Sequence, residues 1–320
     1  MLHFAFSHLP RDRRHDFILV KVFLFAYNRT IKERAVFCAG REKPMAKPIE
    51  ELTIVDDFMF GAVMRDPKLC RPLLELILGV KIRKIEYPEL QKSIDARYGS
   101  KAIRLDVYVE DEAGTVYDVE IQTTEKKHLP KRTRYYQGVI DLHILEKGED
   151  YTALRKSFVI FICTYDPFGK GRWVYTFENR CLEDQGIALG DGAVKIILNT
   201  KGHVGEVSAG LRALLRYMDG FAPESGYTKA LDSAVTDVRK DEKWRREYMV
   251  LIERDRENRR LGGYTRSVAG VRNSRNSVDD KTLMRILMLH PSTYQAILDT
   301  IDKHPDWDDE QVAESVDFEE

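Results

Sequence analysis

Residues 103–122, IRLDVYVEDEAGTVYDVEIQ, constrain the fold more than any other stretch of the chain. Ile103, Leu105, Val107 and Val109 alternate with Arg104, Asp106, Tyr108 and Glu110, the period of two expected of a half-buried strand. Asp111-Glu112-Ala113-Gly114 is a turn signal, after which Tyr117, Val119 and Ile121 alternate with Asp118, Glu120 and Gln122. The segment predicts a β-hairpin with its acids gathered on a face turned away from the core.

With the turn near Ala113, Asp106 falls opposite Glu120 and Arg104 opposite Gln122, facing Cβ atoms lying roughly 4.5–5.5 Å apart. Two facing carboxylates repel unless something positive sits between them. A divalent cation meets that need. Mg²⁺ prefers hard oxygen ligands, keeps several waters, and takes one or two carboxylates plus a substrate phosphate. The backbone carbonyl of Ile121, between Glu120 and Gln122, is a further oxygen in reach. Two plainer readings stand beside this one: a solvated strand face, or Arg104 neutralising Asp106.

The flanking segments predict helices around more strands. Asp56 or Asp57 can cap a helix through FMFGAVM, and Pro67 opens a second helix that Gly79 ends. VKIRKIEYPEL, residues 80–90, reads as a first strand. Residues 127–147 read as a helix closed by Gly148, with Tyr135, Val139, Leu142 and Leu145 near one face. SFVIFICT is apolar almost throughout, as a strand buried on both faces requires, and RWVYTFEN and VKIILNT are further strand candidates. This order predicts an α/β fold with a mixed sheet flanked by helices.

Beyond Gly202 the pattern turns helical. The expected domain organisation is an α/β domain over 45–200, a helical extension over 201–260, a Gly/Ser/Asn/Arg-rich linker over 261–280, and a C-terminal helical segment with an acidic end over 281–320. Trp244, Tyr248 and Tyr264 are expected to pack helices rather than stack on bases. Met45 opens MAKPIEEL, which reads as a natural start, so residues 1–44 are expected to be a disordered or mis-assigned extension. The apolar run at 17–27 is shorter than the roughly 20 residues a bilayer crossing takes.

The formal net charge is −1, so any nucleic-acid affinity must come from a local patch. Four cysteines, Cys38, Cys70, Cys163 and Cys181, form no C-x-x-C pair, which argues against a zinc ribbon and for free thiols in a reducing compartment. No H-E-x-x-H, phosphate-binding G-x-x-x-x-G-K-[ST] or G-x-S-x-G motif is present. The chain is expected to be cytoplasmic, with no membrane partner.

Asp106, a turn, then Glu120-Ile121-Gln122 resembles the core of the PD-(D/E)XK nucleases. The wider segment, TIVDDFMFGAVM through RLDVYVED, YDVEIQ, RTRYYQGVIDLHIL and GEDYTALRKSFVIFIC, resembles the recombination-promoting nucleases, the PD-(D/E)XK family transposase group of bacterial proteins. The likeness covers roughly residues 50–200. It implies a restriction-endonuclease-like sheet and Mg²⁺-dependent cleavage of DNA, with Mn²⁺ as a possible substitute. Asp106, Glu120 and the Ile121 carbonyl would hold the metal.

The third motif position, usually lysine, is Gln122, which supplies no charge. Asp57 would correspond to the acid of the first helix; a first-turn acid is its simpler reading. Gln137 occupies a place where the group often turns a polar residue to the site, and a surface glutamine is the alternative. Lys126, Lys127, Lys131, Arg132 and Arg134 follow the motif and would contact flanking phosphates, unless they form a solvated helix start.

Two functions are thus in view. One is an endonuclease whose nicking or cleavage stimulates recombination or transposition. The other is a nuclease-fold protein without catalysis, binding DNA or a protein partner. The C-terminal helices are the expected route to a homo-oligomer.

Overall fold

The computed structural model describes residues 46–85, 89–94, 103–125 and 128–318. The expected extension at 1–44, Cys38, Lys126 and Lys127 lie outside the described residues. The chain divides into two compact units, Lys47–Val250 and a C-terminal unit beginning at Leu251.

The first unit opens with α1 (Asp57–Met64) and α2 (Pro67–Leu78). Asp66 caps α2 by accepting the Lys68 N–H, Pro67 occupies its first turn, and Gly79 ends it at φ 69°, a conformation that costs glycine little. The strands are β1 (Glu89–Ile94), β2 (Ile103–Glu110), β3 (Val116–Gln122), β4 (Ser157–Cys163), β5 (Val174–Phe177) and β6 (Ala193–Asn199). The long helix α3 (Leu129–Ile144) joins β3 to β4. The described strands form one sheet in the order β1-β2-β3-β4-β6-β5. Pairing is antiparallel for β1–β2, β2–β3 and β5–β6, and parallel for β3–β4 and β4–β6. A mixed α/β sheet flanked by helices is therefore what the chain forms.

The β2–β3 register pairs Val107 with Val119 and Glu110 with Val116. One more step in that register sets Asp106 across from Glu120, as the hairpin arithmetic requires. The expected exposure is wrong, however. Every residue of β3 is buried, including Asp118, Glu120 and Gln122. The reason is α3: its Tyr136, Val139 and Ile140 form one core cluster with Val116, Val159 and Phe161 on the acid-bearing side of the sheet. A hairpin read alone shows two faces but not the helix that covers the second.

Three further expectations are corrected. The first strand lies at Glu89–Ile94 rather than across 80–90; Ile82 and Ile85 are buried three residues apart, a spacing no strand face has, and Ile85 makes only an isolated bridge to Asp111. Helix α3 ends at Ile144, and its buried side runs through Leu129, Thr133, Tyr136 and Ile140, while Tyr135 and Leu142 are exposed. The first unit extends past residue 200, because α4 (Ala209–Met218) and α5 (Gly226–Lys240) bury Leu211, Leu214, Leu215, Leu231 and Val235 within it.

Helix α6 (Glu242–Ser274) carries residues of both units. In the first, Trp244 and Tyr248 pack on Phe58, with ring centroids 6.0 and 4.8 Å apart. In the C-terminal unit, α7 (Asp280–Leu287), α8 (Pro291–Lys303) and α9 (Asp309–Ser315) follow. The linker expected at 261–280 is instead helical through Ser274. Leu261, Tyr264, Val268 and Val271 recur at helical spacing and pack with Leu283, Ile297 and Val312, which outweighs the Gly262-Gly263 pair. Tyr264 stacks on Phe318 with centroids 3.8 Å apart. Among the described residues no helix is long and apolar enough to cross a membrane.

Candidate active site

The site forms where the β2–β3 ladder ends. Its last recorded rung is Val107–Val119. Beyond it the two facing acids take over the role of backbone acceptors. The Asp106 N–H donates to Glu120 Oε1 at 2.9 Å, and the Ile121 N–H donates to Asp106 Oδ2 at 3.2 Å. Each carboxylate is thereby aimed by the neighbouring strand's backbone. Asp106 is 9% exposed and Glu120 only 2%.

Asp57, Asp106, Glu120, Ile121, Gln122, Thr123, Thr124 and Arg132 line one polar cavity of about 310 Å³. Asp57 reaches it from the first turn of α1, so the first-helix acid is a wall of the site as well as a helix-start residue. Among the described residues no three His, Cys, Asp or Glu side chains form a cluster that would enclose a metal ion by themselves.

Arg132 enters from the first turns of α3. Its Nη2 donates to Glu120 Oε2 at 3.1 Å and to the Tyr136 hydroxyl at 2.8 Å, and its Nη1 donates to Gln122 Oε1. The guanidinium carbon stands 5.1 Å from the Tyr136 ring centre and 5.0 Å from that of Phe161, within cation–π range. Gln122 Nε2 donates to the Thr124 carbonyl at 2.7 Å, which fixes the amide with its oxygen toward Arg132.

The electrostatics of the site are set by burial of its acids. Burial pushes the Glu120 carboxyl up to about 7, with the Asp57 charge adding to the rise; the Asp106 N–H and Arg132 oppose it. Asp118, two residues earlier on the same side of β3, is fully buried, and when ionised neither of its carboxylate oxygens has a hydrogen-bond partner, whereas protonated it can bond to Glu120. Burial, then the charges of Glu120 and Asp106, holds it well above the usual carboxylate range. Arg132 is lowered by burial but ends above its ordinary value, because the Tyr136 contact and the Glu120 and Asp106 charges stabilise its cation.

The sequence-derived residues separate clearly. Asp57, Asp106, Glu120, Ile121 and Gln122 meet in the cavity. Arg132 joins them, rather than standing among outward-facing phosphate contacts. Lys131 and Arg134 are exposed, Arg134 lining a different cavity with Phe168, Phe177 and Lys195. Gln137 is corrected: it is 6% exposed, and its Nε2 donates to Ser157 Oγ at 2.6 Å and Asp141 Oδ1 at 3.1 Å. A side chain enclosed between α3 and β4 offers nothing to DNA. Asp118 and Tyr136 were not singled out by sequence reasoning. Asp118 was legible as an acid sharing the Glu120 face, and Tyr136 as the residue one helical turn beyond Arg132.

Acids from a first helix and a β-hairpin, converging beside a mixed sheet, define a nuclease-fold domain of the PD-(D/E)XK type. Residues 57–184 match the family model of the PD-(D/E)XK nuclease family transposase. Comparison with curated proteins and with solved structures gave no match. Nucleases of this family generally use divalent metal ions, and their substrate class is DNA.

Proposed function

We propose that this protein is a Mg²⁺-dependent DNA endonuclease that hydrolyses phosphodiester bonds and thereby promotes recombination or transposition. The observation that carries the reading is the meeting of Asp57, Asp106 and Glu120 in one polar cavity, with the Arg132 guanidinium on Glu120. The donor set is hard oxygen throughout, which fits Mg²⁺, with Mn²⁺ as a substitute. Asp106, Glu120 and the Ile121 carbonyl would hold the ion. A bound divalent ion would polarise a phosphoryl oxygen and ease ionisation of an attacking water.

The chain's own residues do the rest. The Asp106 and Ile121 N–H groups orient the two carboxylates before any ion arrives. Asp57, in the wall of the cavity, would accept a hydrogen bond from a water there. Lys131 and Arg134, exposed along α3, would contact flanking phosphates and give sequence-independent, salt-sensitive affinity.

Supercoiled plasmid tests the reading. Incubation with Mg²⁺ or Mn²⁺ should convert it to nicked or linear product, EDTA should prevent this, and Asp106→Ala and Glu120→Ala should each abolish it. A second reading, a catalytically inactive DNA-binding module, draws support from the absent charge at Gln122. Retained DNA binding without cleavage by wild type under either metal would favour it.

A further inference from the structure

We propose that Arg132 is the catalytic cation of this site, contacting a non-bridging oxygen of the scissile phosphate and supplying the charge that Gln122 lacks. The proposal rests on the nuclease reading above and adds a residue from a different element. Position 122 carries an amide, yet that amide is bonded directly to a guanidinium from α3. Gln122 is itself oriented by its donation to the Thr124 carbonyl, so its oxygen serves as a holder for Arg132. The cation has moved ten residues along the sequence while remaining beside the third motif position.

The anchoring is more elaborate than an ion pair needs. Glu120, Gln122 and Tyr136 fix the guanidinium in its plane, and the Tyr136 and Phe161 rings lie within cation–π range of it. These bonds use three of its five N–H donors: both on Nη2 and one on Nη1. Among the described residues, the second Nη1–H and the Nε–H remain for a ligand. The side chain is 28% exposed and lines the acid cavity.

A cation of fixed charge and position suits a phosphate gathering negative charge as it is attacked, to which either remaining N–H can donate. No bond to Arg132 forms or breaks. The water oxygen adds to phosphorus, the bond from phosphorus to the leaving sugar oxygen breaks, the water proton passes to solvent, and the leaving oxygen takes a proton from solvent.

The test uses the full chain and four proteins: wild type, Arg132→Gln, Arg132→Lys, and the double variant Arg132→Gln/Gln122→Lys. Three quantities are read: kcat and KM for plasmid nicking, Mn²⁺ affinity of the protein alone by titration calorimetry, and the melting temperature. Removal of a preorganised charge from the transition state should lower kcat in Arg132→Gln by about 100-fold with KM nearly unchanged. Restoring a cation at position 122 should recover at least about 10-fold of that loss, which a packing role for Arg132 would not allow. Mn²⁺ should bind Arg132→Gln several-fold more tightly than wild type, because Glu120 has lost a competing cation.

A folded Arg132→Gln with wild-type kcat, or a double variant no better than the single, overturns the proposal while leaving the nuclease reading intact. If Arg132→Gln does not fold, Arg132→Lys decides. A folded lysine variant should lose at least about 10-fold in kcat, since an ammonium cannot keep together the bonds to Glu120, Gln122 and Tyr136 that aim the guanidinium, and wild-type kcat there overturns the proposal. Wild type that fails to nick under Mg²⁺ and Mn²⁺ overturns both.

Discussion

Asp106 and Glu120 are bound to each other's strands: the Asp106 N–H donates to the Glu120 carboxylate, and the Asp106 carboxylate accepts from Ile121, the residue after Glu120. The exchange holds two like charges face to face in a place that is almost closed to water. Repulsion between them is the force available for capturing a cation, and its consequences are measurable.

Metal-free stability should fall as pH rises from about 4.5 to about 7. Glu120 has an ordinary value of 4.5 and is raised to about 7 by burial. Below 4.5 it is protonated in both folded and unfolded chains. Between the two values the unfolded chain ionises while the folded one keeps its proton, so unfolding gains ground. Divalent metal binding, which needs the ionised form, should strengthen through the same window and reverse the trend. Melting curves across pH with EDTA or Mg²⁺ check this; a metal-free melting temperature that rises from pH 5 to 7 would contradict it.

Asp118→Asn should stabilise the metal-free protein. The wild-type carboxyl is fully buried and held well above its usual range, so its ionisation opposes folding increasingly as pH rises. The amide removes that cost. The expected gain is a few degrees in melting temperature at pH 8 and less at pH 5, about 1 kcal/mol corresponding to roughly 2–4 °C for a unit of this size. A lower melting temperature at pH 8 would show that the charge is needed.

Gly202→Ala should destabilise the sheet end that carries β5. A Cβ there would lie 2.6 Å from the Trp173 Cα and 2.8 Å from its ring. Neither backbone nor a large ring moves cheaply, so the cost should be about 1–3 kcal/mol by urea denaturation. An unchanged midpoint would mean that the Trp173 segment yields.

Ile297→Ala should loosen the C-terminal unit. Ile297 is fully buried among Val268, Val271 and Leu283, and its truncation should cost about 2–5 kcal/mol there. Limited proteolysis should then cut within 261–274, which resists in wild type because it is helix. Cleavage at Gly262-Gly263 in wild type, at the same rate, would restore the linker reading.

The hairpin register was legible because alternation on both sides of Asp111–Gly114 excludes odd slips, and the position of the turn then selects one pairing. The apolar run of β4 and the Pro67 and Gly79 boundaries of α2 were legible for similarly local reasons. What escaped was tertiary. Nothing in DVEIQ says that α3 will cover its acid face, so Asp118 read as solvated although it is fully buried. Arg132 read as one basic residue in a basic run; only the fold separates it from Lys131 and Arg134 by turning it inward. In the 261–280 segment, glycine, serine and asparagine hid an apolar stripe whose partners lie in α7, α8 and α9.

Anomalous diffraction from crystals soaked in Mn²⁺ tests the central claim most directly. A single Mn²⁺ peak contacting carboxylate oxygens of both Asp106 and Glu120, absent in Glu120→Gln, is the predicted result. Mn²⁺ bound elsewhere in the domain, or the same peak persisting in Glu120→Gln, would contradict it.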